Sequence, residues 1–176
     1  MLSSVFILNK DATIVVEKQY REKVPRSEID PACITIRDHS QLPPAIMQSG
    51  EYTLFLHPKN DVWFVGVCEG DEFALFGISI LTYIANTLQT LLKEGCSEAS
   101  IKNEYPVCYQ ILDLSIDYGF PFLDEPNAVQ AVLNRPPPDP RTKLSKVALD
   151  LNRPWRQPNV RHATNQILLD IVETID

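Results

Sequence analysis

Two runs decide the fold: Tyr52-Thr53-Leu54-Phe55-Leu56-His57 and Val62-Trp63-Phe64-Val65-Gly66-Val67-Cys68. Both are short, apolar and rich in β-branched and aromatic residues, and Pro58-Lys59-Asn60-Asp61 between them supplies turn chemistry. They read as two antiparallel strands. Beyond Gly70 the pattern changes period. Phe73, Phe76, Gly77, Ile80, Ile84, Leu88 and Leu91 recur every three or four residues, and Leu75, Ile78, Leu81 and Leu92 widen that stripe. This is one long helix from about Phe73 to Leu92, more apolar than a surface helix needs. Gly95 ends it, and Ser97 with Glu98 opens another by N-capping. Pro106 breaks or kinks this second helix. Val107, Ile111, Leu114 and Tyr118 then form an apolar stripe ending at Gly119.

Toward the N-terminus, Ser3 to Leu8 and Thr13 to Lys18 are strand-like and flank the turn Asn9-Lys10-Asp11, which predicts a hairpin. Ala45-Ile46-Met47 predicts a short strand turned by Ser49-Gly50. Residues 26–40 read as a short or irregular helix: Ser27, Glu28 and Asp30 resemble a helix start, while Pro31 and Ile34-Thr35-Ile36 weaken it. The expected body is therefore α+β, five short strands in an antiparallel meander covered by helices.

Proline sets the next boundary. Eight of the 14 prolines lie in 121–158, and Arg135-Pro136-Pro137-Pro138-Asp139-Pro140 fits neither helix nor central strand. The organisation expected is a folded domain over 1–133, a stiff, basic, proline-rich linker over 134–164, and one isolated strand within 165–176, carried by Gln166-Ile167-Leu168-Leu169-Asp170-Ile171-Val172-Glu173. Charge follows the same divisions. The net −7 combines an acidic body, −9 over 1–133, with +5 over 134–162 and −3 over 163–176. An acidic body argues against nucleic-acid binding, and the basic segment suits solvent, an acidic protein face or anionic lipid.

Forty-four per cent hydrophobic and 22% charged residues are ordinary globular values and exclude wholesale disorder. No stretch approaches the ~18 apolar residues of a membrane span, and the start lacks a basic leader, so a cytosolic protein is expected. Cys33, Cys68, Cys96 and Cys108 fit neither a disulfide framework nor a zinc pattern with His39, His57 or His162, and read as free thiols. No glycine-rich phosphate loop occurs. His57 reads as a turn histidine, and Asp113 and Asp117 as the polar face of a helix. Trp63 reads as packing. No catalytic, cofactor-binding or metal residue is assigned, and an enzyme is not expected.

The stretch Glu94-Gly95-Cys96-Ser97-Glu98-Ala99-Ser100-Ile101-Lys102 resembles a loop and helix start in the medium (mu) chains of heterotetrameric adaptor-protein coat complexes. The resemblance continues through Tyr109-Gln110-Ile111-Leu112-Asp113, Asp117-Tyr118-Gly119-Phe120-Pro121 and Glu125-Pro126-Asn127-Ala128-Val129. The opening hairpin and Pro43-Pro44-Ala45-Ile46 also fit, whereas 26–40 and Pro106 depart from the pattern. Pro154-Trp155-Arg156 followed by Asn165 to Glu173 is most similar to the third adaptor type, where such a linker precedes the mu homology domain.

This resemblance implies a longin (profilin-like) fold: a five-stranded antiparallel sheet with one helix on one face and two on the other. It implies a noncatalytic, cofactor-free subunit that assembles with two large chains and a small chain. Such complexes sort transmembrane cargo from Golgi and endosomal membranes toward lysosomes or vacuoles. The chain would lie peripherally on those membranes, recruited through the complex by an Arf-type GTPase, and cargo tails would be read by a later domain whose signal-binding residues this sequence does not contain. The expected partner interface is the apolar surplus of the long helix at Leu75, Ile78 and Leu81, with Trp155 and Arg156 as a linker contact. Two other classes remain: a stand-alone longin or SNARE-like trafficking regulator, and a small profilin-like enzyme or ligand-binding domain.

Overall fold

The computed structural model of the protein describes residues 1–21, 23–38, 42–70 and 74–133. Strands β1 (Leu2–Asn9), β2 (Ile14–Gln19), β3 (Ile46–Ser49), β4 (Tyr52–Lys59) and β5 (Val62–Glu69) form one antiparallel sheet in the order β2-β1-β5-β4-β3. The expected meander is corrected here: β1 leaves its hairpin to pair with β5 and becomes a central strand. The reason lies in its side chains. Leu2, Val5, Phe6, Ile7 and Leu8 are all fully buried, so β1 is apolar on both faces and belongs inside the sheet. Strand β2, which carries Glu17, Lys18 and Gln19, takes the edge.

Period-two alternation sorts the core into two layers. Phe6, Leu8, Leu54, Leu56, Val65 and Val67 face a short 3-10 helix (Arg26–Ile29) and helix α1 (Asp30–Arg37). Val5, Ile7, Phe55, Phe64 and Cys68 face helix α2 (Ala74–Leu91), with α3 (Glu98–Asn103), α4 (Tyr105–Ser115) and α5 (Pro126–Val132) beside it. The body is α+β, a five-stranded antiparallel sheet flanked by helices on both faces. Residues 134–176, and with them the expected linker and isolated strand, lie outside the described residues.

Local signals explain most boundaries. Asn9 Oδ1 accepts from the N–H groups of Asp11 and Thr13 at 3.0 and 2.8 Å, closing the first hairpin while Ala12 takes φ +53°. Ser97 caps α3 by accepting from the Ser100 N–H at 3.2 Å. The break before Pro106 falls at Glu104, so α4 starts with proline in its first turn. Two readings are revised. Ser27 lies within the 3-10 turn and caps neither helix. Tyr118 is not on a helical stripe, because α4 ends at Ser115 and a small hairpin follows, β6 (Ile116–Asp117) and β7 (Phe120–Pro121). Tyr118 and Gly119 form its tip with φ +46° and +86°. A Cβ on Gly119 would stand 2.2 Å from the Leu2 carbonyl oxygen, so only glycine lets the tip reach the first strand, where Leu2 N–H donates to Gly119 O at 3.1 Å.

Helix α2 sits close to the sheet. A Cβ on Gly77 would be 2.4 Å from the Phe55 ring, so the missing side chain sets the distance between helix and sheet. At the other end, Asn60 Nδ2 donates to Gln89 Oε1 and to the Cys96 carbonyl, both at 2.8 Å, pinning the β4–β5 turn to the end of α2. The edge of β2 is closed by α4. The hydroxyls of Tyr105 and Tyr109, one helical turn apart, donate to the carbonyls of Val15 (3.0 Å) and Glu17 (3.2 Å). The Tyr20 hydroxyl donates back to the Leu112 carbonyl at 3.1 Å, and burial raises its pKa far above the ordinary value.

Candidate partner interface

The three interface candidates on α2 separate once the helix is placed. Leu81 is fully buried and touches the space above Gly66, so it belongs to the core. Ile78 is half-buried against the same layer. Leu75, one turn earlier, is 75% exposed. The breadth of the stripe is explained by what covers it: Leu88, Leu91 and Leu92 are closed over by the sheet and by Cys108, Ile111, Leu112 and Val129 of α4 and α5. The outer face farther along α2 is polar at Asn86, Gln89 and Thr90. The surplus that remains is the first turn.

Other apolar side chains also reach solvent around the small C-terminal hairpin. Leu2 pairs with Cys68 near the end of β5, from which the chain passes into α2, and Leu2 also holds the β6–β7 tip. On that hairpin and just after it, Tyr118 (62%), Phe120 (48%) and Phe122 (63%) are exposed. Their backbone is fixed. Phe122 N–H donates to Ser115 O at 2.9 Å, Leu123 N–H to Leu114 O at 3.3 Å, and the Tyr83 hydroxyl of α2 to Leu123 O at 2.5 Å. Hydrogen-bonded backbone here presents large apolar side chains to solvent, which is the composition interaction surfaces have. The aromatics were missed from sequence because Tyr118 was placed on a helix. The spacing Phe120-Pro121-Phe122 after Gly119 was the available signal: proline ends a short strand and leaves both rings beside it.

The remaining candidates carry little chemistry. His57 is half-buried in β4, and burial, with Lys59 beside it, lowers its pKa. Lys18 of β2 pairs with Asp113 of α4, while Asp117 lies beyond the helix in β6, so the two carboxylates do not form a pair. The four cysteines are free and buried, with the thiols of Cys96 and Cys108 pushed up to about 12 mainly by burial. Among the described residues no cluster of His, Cys, Asp and Glu could hold a metal ion, and no helix is long and apolar enough to cross a membrane. Trp155 and Arg156 lie outside the described residues.

The sheet order and the division of helices between its faces define a longin-like body. A chain of the homology model of the full-length AP-3 complex in a stretched open conformation shares this fold, with a TM-score of 0.54 at 11% identity over 74% of this chain and 90% of that one. The sequence relationship is more specific. AP-3 complex subunit mu-1 of Homo sapiens and subunit mu-2 of Mus musculus are each 29% identical over 191 aligned positions, spanning all of this chain and 45% of theirs. AP-1 complex subunit mu of Diplobatis ommata is 28% identical over the same span. No protein-family model matches. The chain is homologous to the mu subunits of AP-3 adaptor complexes, and it spans less than half the length of the curated relatives it matches.

Proposed function

We propose that this chain is the assembly portion of a noncatalytic medium-chain subunit of an AP-3-type vesicle adaptor. In this reading it acts in intracellular protein transport from Golgi and endosomal membranes toward lysosomes or vacuoles. The homology to mu subunits along the whole chain is the observation that carries the reading. Residues 1–133 seat the subunit against a large adaptor chain, and the small chain completes the complex. Residues 134–164 act as linker and 165–176 as the first strand of a further domain. The chain lies peripherally on the membrane through its complex, which an Arf-type GTPase recruits, and cargo tails are read elsewhere.

Within the body, the docking face is the first turn of α2 together with the aromatic hairpin, that is Leu75, Ile78, Phe120 and Phe122. Obligate subunit interfaces bury on the order of 2,000 Å² or more and are apolar at their centres, which exposed Leu75, Phe120 and Phe122 suit. A stand-alone trafficking regulator would carry the same fold, so the experiment is association. Leu75→Glu and Phe122→Glu are expected to abolish co-purification with the large adaptor chain while the far-ultraviolet spectrum and thermal midpoint stay unchanged. Leu81→Glu buries a charge and is expected to unfold the body. Undiminished co-purification of both surface variants would overturn the assignment of this face. Failure of the unaltered chain to bind any large adaptor chain would overturn the adaptor reading itself.

A further inference from the structure

A groove of about 540 Å³ lies on the opposite face, between α1 and the start of β2. Its apolar lining is Ile14, Ile29, Cys33 and Ile34, and Ile34 is 66% exposed, which is unusual for a branched aliphatic residue mid-helix. On α1 the positions Asp30, Cys33, Ile34 and Arg37 recur at helical spacing and form one wall. A charge therefore stands at each end of that wall, acidic at Asp30 and basic at Arg37. Burial raises the pKa of the Cys33 thiol between them, with Arg37 acting to lower it and Asp30 to raise it.

The two charges are available. Arg37 is oriented by its Nε, which donates to the Asp11 carbonyl at 2.9 Å, and its terminal nitrogens take no partner among the described residues. The Asp30 carboxylate takes none there either. Arg26, also on the rim, is already neutralised: Nε and one terminal nitrogen donate to Glu17 Oε2 at 3.0 and 2.6 Å. The groove thus offers one guanidinium and one carboxylate seven helical residues apart, about 10 Å at 1.5 Å per residue. An extended chain covers that distance in about three residues. The complementary occupant is an extended segment with an acid and a base three residues apart and an aliphatic side chain between them. An anionic membrane does not match, because Asp30 and the −9 body repel it.

This chain contains such a segment. Among residues 134–176, Asp150-Leu151-Asn152-Arg153 is the one place where an acid and a base stand three apart, and Leu151 lies between them. The 16 residues between Leu133 and Asp150 let the chain span up to about 55 Å when extended. That is about half the circumference of the ~36 Å body expected for 133 residues, so the extended segment is just long enough to pass round the sheet edge to the α1 face. We propose that Asp150-Leu151-Asn152-Arg153 docks in this groove as an intramolecular latch, with Asp150 on Arg37, Arg153 on Asp30 and Leu151 against Ile34 and Ile14. The latch leaves 134–149 as the free tether and fixes whatever follows Arg153 beside α1. It does not depend on adaptor assembly.

The test uses the 176-residue chain carrying Leu151→Cys under a mild thiol oxidant, with the cross-linked peptides mapped by mass spectrometry. Cys33 keeps 8% exposure at the groove, whereas Cys68, Cys96 and Cys108 have none. An intramolecular bridge from position 151 to Cys33 is expected, forming at least about fivefold faster than from Val147→Cys, and Arg37→Glu is expected to slow it about fivefold. Adding Asp150→Lys to Arg37→Glu restores the rate. Equal bridging from positions 147 and 151 would overturn the latch. So would a bridge found only between two molecules, which would make the occupant a second copy.

Discussion

Replacing Gly77 by alanine sets two opposed effects against each other, and the geometry decides the sign. Alanine in a helix interior is worth about 1 kcal/mol over glycine, which alone would stabilise α2. The added methyl, however, would lie 2.4 Å from Cδ2 of Phe55 and 2.6 Å from both Cε2 and Cγ. Carbon atoms pack at about 3.5–4.0 Å, so ring or helix must move by more than about 1 Å. Phe55 is fully buried between β4 and α2 and has no solvent to move into. Overpacking of this kind costs about 1–3 kcal/mol, and contact with three ring atoms places it toward the upper end. The expected net loss is about 1–2 kcal/mol, a fall of roughly 4–8 °C in midpoint for a body of this size. Urea titration of the variant should show a lower midpoint with an unchanged slope. The decisive measurement is the cycle with Phe55→Leu, which removes the ring atoms: coupling of at least about 1 kcal/mol is expected, the double variant being more stable than the two losses predict. An additive cycle, or a stabilised Gly77→Ala protein, would refute the claim that glycine is needed for the close approach of helix and sheet.

What could be read from the sequence was what local chemistry encodes. Period-two runs gave the strands, Gly95 and Ser97 bounded the helices, and Pro106 located the break because each acts on its own backbone. The order of the strands was not local. It turned on β1 being apolar on both faces, and the runs Ser3–Leu8 and Thr13–Lys18 were treated as a self-contained hairpin. The same limit affected the interface. A helical stripe shows that a face is apolar without showing which neighbour covers it, so Leu75 and Leu81 looked equivalent until α4 and α5 were placed. Tyr118 was misplaced because Leu114 to Tyr118 continues the helical period, while the turn is imposed by Gly119 meeting the backbone of Leu2, a residue far away in sequence.

Three further outcomes follow from the packing. Tyr105→Phe and Tyr109→Phe each remove a hydroxyl from an edge carbonyl of β2 and should cost about 0.5–1.5 kcal/mol, with amide exchange accelerated in β2 before β5; equal acceleration in both strands would show that the hydroxyls do not guard the edge. Cys96 and Cys108, buried and with pKa values of about 12, should resist a maleimide at pH 8 on the native chain, and labelling of either ahead of Cys33 would contradict their burial. The last concerns acid. Burial of Glu17 acts to raise its pKa, but hydrogen bonds from Arg26 and Gln19 outweigh it and hold the carboxyl below its ordinary 4.5. A carboxylate depressed by folding contributes stability that is fully present above the unfolded-state value and is lost as the pH falls through the folded-state value. Glu17 joins the edge strand to Arg26 at the groove, so the loss should be felt first where β2 meets the 3-10 helix. Unfolding free energies measured from neutral pH down to about pH 3 should therefore fall more steeply below 4.5 for the unaltered chain than for Glu17→Gln, whose side chain does not titrate. Parallel curves would mean that the Arg26 contact gives the carboxylate no advantage in the folded state.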